Sequence, residues 1–171
     1  MALVKAGNLA YLNELFGRYG KRLYNYFLKS TLSRDESDDL TQELFIRVMK
    51  YRKSYKEENS FQLWIFQIAR NMIKDHFRKM KVYKDQFNPV EVIPDAMEES
   101  DEAALEKERI LHVAMEKLSE DKRELLVLSK FQGLKYEQIA KMQSTSVANI
   151  KVKVHRTIKE LKEIYLAEVQ Y

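Results

Sequence analysis

The chain has 171 residues and a mass of 20.4 kDa, with 45% hydrophobic residues, 33% charged residues and a formal net charge of +4. This is room for one ordinary domain or two small ones, and enough apolar mass to exclude a fully disordered chain. Four Gly and two Pro are too few for an all-β fold or Gly-rich phosphate loops, and zero Cys excludes disulfide scaffolds, thiolate zinc sites and cysteine nucleophiles.

The first expected helix runs from about Asn8 to Lys29, with Leu9, Leu12, Leu15, Phe16, Tyr19, Leu23, Tyr26 and Phe27 at helical spacing. Gly17 and Gly20 weaken it or mark a close helix approach. The second runs from about Asp35 to Tyr51, with Asp35, Glu36, Asp38 and Asp39 near its start, where they complement the helix dipole. Leu40, Leu44, Val48 and Tyr51 fall on one arc and are expected to face the core. Phe45, Ile46 and Met49 fall on another, interleaved with Asp38, Asp39, Gln42 and Glu43. An exposed apolar arc among acids points to a protein partner. The alternative is that Phe45 packs on a neighbouring element.

The third expected helix runs from about Ser60 to Met80, with Phe61, Trp64, Ile65, Ile68, Ala69, Met72, Ile73 and Phe77 as core positions. Its far end is basic, with Arg70, Lys74, Arg78, Lys79 and Lys81 beside Asn71, Asp75 and His76. Such an end fits phosphates and offers polar groups to bases; it also fits an ordinary basic last turn. Residues 86–100 hold both prolines, Pro89 and Pro94, and no sustained apolar period, which predicts a flexible acidic linker.

Beyond the linker, helices are expected over Leu105–Met115 and, capped by Ser119, over Glu120–Phe131, with Gly133 ending the latter in the left-handed region. A short helix over Tyr136–Gln143, a break at Ser144-Thr145-Ser146 and a long helix from Val147 to about Ala167 form a helix-turn-helix pattern. In the last helix Val147, Ile150, Val154, Ile158, Leu161 and Tyr165 make an apolar stripe. Val152, Arg156 and Lys159 point away from it, Lys151 and His155 flank that outward face, Lys162 extends it, and Lys153 lies on the other side. A helix with one buried and one basic face suits the major groove, where Arg pairs with guanine and Val touches a thymine methyl.

Charge supports this reading. Residues 1–85 carry 17 Lys and Arg against 10 Asp and Glu, residues 86–108 carry 1 against 8, and residues 109–171 carry 12 against 8. Two basic blocks around an acidic segment suit a polyanion partner better than the whole-chain charge suggests. The expected fold is all-α, with two small helical domains at 1–85 and 101–171 joined by the acidic linker 86–100. The longest aliphatic run, Leu125 to Leu128, is far short of the ~20 residues of a membrane span. Residues 1–12 lack signal-peptide features, so a cytoplasmic location is expected.

These residues resemble an extracytoplasmic-function sigma factor, the minimal two-domain promoter-recognition subunit of bacterial RNA polymerase. Asp38-Asp-Leu-Thr-Gln-Glu-Leu-Phe-Ile-Arg-Val-Met49 is similar to the family's region two core-binding helix. Phe61-Gln-Leu-Trp-Ile-Phe-Gln-Ile-Ala-Arg-Asn71 is similar to its F-x-x-W-L-x-x-I-A-R-N signature. Leu118–Leu125, Gly133–Ala140 and Ser146-Val-Ala-Asn-Ile-Lys-Val-Lys-Val-His-Arg156 resemble region four and its recognition helix. The resemblance covers nearly the whole chain in order.

It implies that Asp38, Asp39, Gln42, Glu43, Phe45 and Met49 bind core polymerase. Arg70, Asn71, Lys74, Asp75, Arg78, Lys79, Lys81 and the loop after Lys79 would engage the minus-ten element, partly as an extruded base. Lys151, Val152, Lys153, His155, Arg156 and Lys159 would read the minus-thirty-five element. An anti-sigma factor, which often sequesters family members, is a further implied partner. No catalytic residue, metal, cofactor or small-molecule substrate is expected: His76, His112 and His155 are dispersed, and no H-E-x-x-H, G-x-x-x-x-G-K-[ST] or G-x-S-x-G motif occurs. The chain departs from the family at Gln143-Ser144-Thr145, where L-G-I is usual; a Ser in place of Gly predicts a different turn or a small strain. Asn149 replaces the usual Thr, and Val152-Lys153 the usual Ser-Arg, so base preference does not carry over. A helix-turn-helix regulator acting without polymerase is the alternative, but leaves Asp38–Met49 without a purpose.

Overall fold

The computed structural model describes residues 1–86 and 102–169. The linker expected over 86–100, with Pro89 and Pro94, lies outside the described residues apart from Gln86. Among the described residues every regular element is a helix. The chain divides into two compact units, Met1–Ile93 and Pro94–Tyr171.

The first unit contains α1 (Ala2–Lys5), α2 (Tyr11–Thr31), α3 (Arg34–Tyr51), a 3-10 turn at Arg52–Ser54, and α4 (Phe61–Gln86). Leu32 takes a left-handed conformation, φ 63°, and its N–H donates to the Leu28 carbonyl at 2.8 Å. Ser33 then caps α3 by accepting the Glu36 N–H at 3.4 Å, and Asp35 and Glu36 occupy the first turn. The Ser37 hydroxyl donates to the Ser33 carbonyl and lies 3.2 Å from the Thr31 hydroxyl. These bonds reverse the chain within two residues, so α2 and α3 pack as a hairpin.

Leu23, Tyr26 and Phe27 of α2, Leu44 and Val48 of α3, and Ile65, Phe66, Ala69, Met72 and Ile73 of α4 form the core. Each large apolar side chain buried there contributes about 1.5–3 kcal/mol. Tyr26 meets Phe66 edge to face at 5.5 Å. A second cluster of Tyr19, Tyr55, Phe61 and Trp64 fixes the start of α4, with Tyr19 against Phe61 at 5.0 Å and Tyr55 against Trp64 at 5.5 Å. The Tyr55 hydroxyl donates to the Asn59 carbonyl at 2.9 Å.

Four expectations change here. Helix α2 begins at Tyr11, leaving Leu9 exposed, and Tyr51 is exposed rather than facing the core. A Cβ at Gly17 would meet nothing within 4 Å, and the nearest atoms to one at the buried Gly20 belong to the Phe16 ring one turn earlier, at 3.6 Å. Helix α4 continues past Met80 to Gln86, so the expected loop after Lys79 is helical. The short α1 and the 3-10 turn, which meet each other, were not anticipated.

The second unit contains α5 (Glu102–Glu116), α6 (Glu120–Leu126) running into a π-helical turn at Val127–Phe131, α7 (Tyr136–Met142) and α8 (Val147–Val169). Helices α5, α6 and α7 all pack on α8. Its core comprises Ile110, Ala114, Met115, Leu118, Leu125 to Leu128, Leu134, Ile139, Ile150 and Val154. Arg123 is buried at the α5–α6 junction, and its Nη2 donates to the Glu116 and Leu118 carbonyls, each at 3.3 Å. Burial lowers its pKa, against the raising influence of Glu120 and Glu116. Lys117, in the turn after α5, pairs with Glu168 at 2.5 Å, and Lys122 of α6 pairs with Glu160 at 2.6 Å, both acids lying on α8.

Candidate nucleic-acid and partner interfaces

Helix α7 ends in a Schellman turn. Gln143 is its C-cap; the Ser144 N–H reaches the Lys141 carbonyl at 3.4 Å and the Thr145 N–H reaches the Ala140 carbonyl at 3.0 Å. Ser144 has φ 51°, so the turn geometry is the one Gly favours and Ser carries its steric cost. Ser146 then caps α8, its Oγ accepting the Asn149 N–H at 3.1 Å. Ile150, Val154 and Thr157 anchor the inner face of α8. Thr157 is buried with its hydroxyl on the Lys153 carbonyl at 2.8 Å. Ile158, expected in the apolar stripe, is exposed, because Thr157 lies nearer the stripe's centre.

Lys151, Val152, Lys153, His155, Arg156 and Lys159 are all exposed. Val152 is 47% accessible, an aliphatic group held in a row of cations. Lys159 lies 3.9 Å from Glu163, an exposed pair that contributes little. Asn149, absent from the sequence-derived set of contact residues, is exposed too, and its amide Nδ2 donates to Thr145 Oγ1 at 2.8 Å. At 100° per residue, Asn149 projects within about 20° of Arg156, a placement that wheel arithmetic alone provides.

On α4, Asn71, Lys74, Arg78, Lys79 and Lys81 are exposed. Gln67 Nε2 donates to the side-chain Oδ1 of Asn71 at 3.3 Å. Asp75 accepts from Arg78 at 2.8 Å and lies 3.9 Å from Arg47 of α3. His76 Nε2 lies 3.2 Å from Glu36. Arg70 is a correction: it is 9% accessible, on the face shared with Ala69 and Ile73, and does not line the basic outer face.

On α3, Asp38, Asp39, Gln42 and Glu43 are exposed, with Glu43 accepting from Arg47 at 2.6 Å. Phe45 is also corrected. It is 7% accessible, its ring 4.9 Å from that of Phe16, whereas Phe16 is 52% and Ile46 59% accessible. The hairpin return of α2 covers Phe45, and Met49 is half-buried. Of the expected apolar arc Ile46 remains exposed among the acids, and Phe16 of α2, which packs on Phe45, is exposed as well.

Among the described residues, no three His, Asp or Glu side chains cluster as metal ligands, and no helix is long and apolar enough to cross a membrane.

The second unit thus carries a helix-turn-helix, and the first an acidic face on α3 and a basic face on α4. The chain matches the sigma-70 region 2 model over residues 15–82 and the sigma-70 region 4 model over residues 108–161. It is 25% identical over 156 residues to the ECF RNA polymerase sigma factor SigX of Bacillus subtilis, covering 87% of this chain and 80% of that protein. It is 29% identical over 157 residues to the RNA polymerase sigma factor CarQ of Myxococcus xanthus, covering 88% and 87%. Its fold matches the sigma factor RpoE of Bartonella quintana, solved with the anti-sigma factor NepR, with a TM-score of 0.74, 21% identity and coverage of 89% of this chain and 94% of that one. It likewise matches CnrH, solved with the cytosolic domain of CnrY, with a TM-score of 0.74, 22% identity and coverage of 97% and 94%. The chain belongs to the sigma-70 family and is an extracytoplasmic-function sigma factor.

Proposed function

We propose that the work of a sigma factor, binding core RNA polymerase and directing it to promoters, is divided among three surfaces of this chain. The α8 face formed by Lys151, Val152, Lys153, His155, Arg156 and Lys159 reads the minus-thirty-five element as duplex. The α4 face formed by Asn71, Lys74, Asp75, Arg78, Lys79 and Lys81 engages the minus-ten element. The α3 face formed by Asp38, Asp39, Gln42 and Glu43, with Ile46 beside it, docks on core polymerase; Phe45 supports that face from beneath. The observation that carries this reading is α8: it buries Ile150, Val154 and Thr157, exposes a cationic row around Val152, and starts from a capped turn. Cations neutralise phosphates and hold register, while Arg and Val are suited to base edges.

Sigma factors are initiation factors rather than catalysts, and we assign this chain no reaction of its own. It acts in the cytoplasm, where polymerase and chromosome are. The anti-sigma factor bound to RpoE of Bartonella quintana makes an inhibitor of this kind a third candidate partner.

The test separates the surfaces. Arg156→Ala should retain polymerase co-purification and lose promoter-specific transcription. Glu43→Lys should lose co-purification first. If Arg156→Ala and Glu43→Lys lose both functions equally, the division of labour is wrong. If promoter fragments bind specifically without polymerase and Glu43→Lys changes nothing, the chain acts as a polymerase-independent regulator.

A further inference from the structure

Resting on the reading of α8 as the duplex-reading helix, we propose that Asn149, Val152 and Arg156 form one base-reading row, in which Asn149 selects an adenine. The row follows from geometry. All three residues are exposed, and their spacing of three and then four places them one above the other along the outer face. Asn149 sits in the first turn of α8, and the N-terminal residues of a recognition helix are those that reach base edges.

The chemistry at Asn149 is suited to one base. An Asn amide pairs bidentately with adenine: its carbonyl oxygen accepts from N6 and its NH2 donates to N7. Here Thr145 Oγ1 takes one of the two Nδ2 protons at 2.8 Å. The second N–H and the carbonyl oxygen remain for a base edge, and the tie to Thr145 fixes the plane of the amide. The backbone N–H of Asn149 is separately held by Ser146 Oγ at 3.1 Å, so the residue is fixed at two points before it meets DNA. A side chain already ordered loses less freedom on binding. A Thr at this position would have one hydroxyl and could not make the paired contact.

The row also sets a spacing. Seven residues of helix rise about 10 Å, close to three base-pair steps of ~3.4 Å. The adenine read by Asn149 therefore lies about three base pairs from the guanine read by Arg156, with Val152 facing the interval, where a thymine methyl suits it.

Holoenzyme assembled from the full chain and core polymerase would select from duplex promoters randomised across the minus-thirty-five element, at one stated salt concentration. The wild type should enrich an adenine about three base pairs from a guanine. Asn149→Ala and Asn149→Thr should each lose the adenine preference, by about 5- to 100-fold at that position, and keep the guanine. Arg156→Ala should lose the guanine and keep the adenine. If Asn149→Ala keeps the adenine preference, or weakens binding to all sequences alike while thermal unfolding shows a looser helix start, Asn149 is only a structural residue and the proposal fails. If neither Asn149→Ala nor Arg156→Ala changes any preference, α8 is not the reader, and the parent reading fails with it.

Discussion

Phe45→Ala separates the packing seen in the structure from the partner contact suggested by periodicity. Phe45 is 7% accessible and its ring meets Phe16 at 4.9 Å. Truncating a buried Phe to Ala costs about 3–5 kcal/mol through lost transfer energy and the cavity left behind. Phe16 is half-exposed and free to settle into the gap, so the lower end, about 3 kcal/mol, applies. Trp64 is the chain's single tryptophan and lies in the first unit, so its fluorescence during urea unfolding reports that unit by itself. With a urea slope of about 1–3 kcal/mol/M, the midpoint should fall by about 1–3 M at unchanged slope. Phe45→Leu, which keeps much of the volume, should cost clearly less and retain polymerase binding. A midpoint shift below about 0.5 M for Phe45→Ala, together with lost polymerase binding, would refute the reasoning: Phe45 would then be a contact and not a support.

Further predictions concern the second unit and its DNA contacts. Ser144→Gly removes a left-handed strain of about 1–2 kcal/mol and forfeits about 0.4–1 kcal/mol of unfolded-state restriction. It should therefore stabilise the unit by about 0.5 kcal/mol and raise its melting temperature by about 2–4 °C; a lower melting temperature would contradict the strain assignment. Ser146→Ala should cost about 1 kcal/mol and speed amide exchange in the first turn of α8. Arg123→Met strands the carbonyls of Glu116 and Leu118 and should cost about 1–3 kcal/mol in thermal unfolding. Lys151→Ala should reduce the slope of log affinity against log salt by about 1 for holoenzyme binding, with little change in base preference. An unchanged slope would remove Lys151 from the phosphate contacts.

The helices of both units and the outer face of α8 were readable because each rests on local rules: 3.6-residue periodicity, a Ser cap, a left-handed turn. The turn before α8 was foreseen as strained or altered, and Ser144 shows strain in an ordinary Schellman geometry. What escaped depends on neighbours. Phe45 packs on a neighbouring element, the alternative the sequence left open, because α2 and α3 form a hairpin that sets it against Phe16, a long-range contact that periodicity within either helix does not encode. Arg70 interrupts a basic series because its position falls on the buried arc, which charge counting ignores. Thr157 displaces Ile158 because a hydroxyl bonded to the preceding turn is inexpensive to bury, so hydropathy ranks the two residues in the wrong order. Helix α4 outlasts its apolar stripe because neither Gly nor Pro interrupts it before Pro89.

The most direct test of the central claim is run-off transcription with sigma-free bacterial core polymerase and a pool of genomic promoter fragments, at fixed salt. Adding the purified chain should produce discrete transcripts from a subset of fragments that share two spaced elements, and Arg156→Ala should abolish them. Specific binding of fragments without polymerase, and no transcript with it, would contradict the sigma assignment.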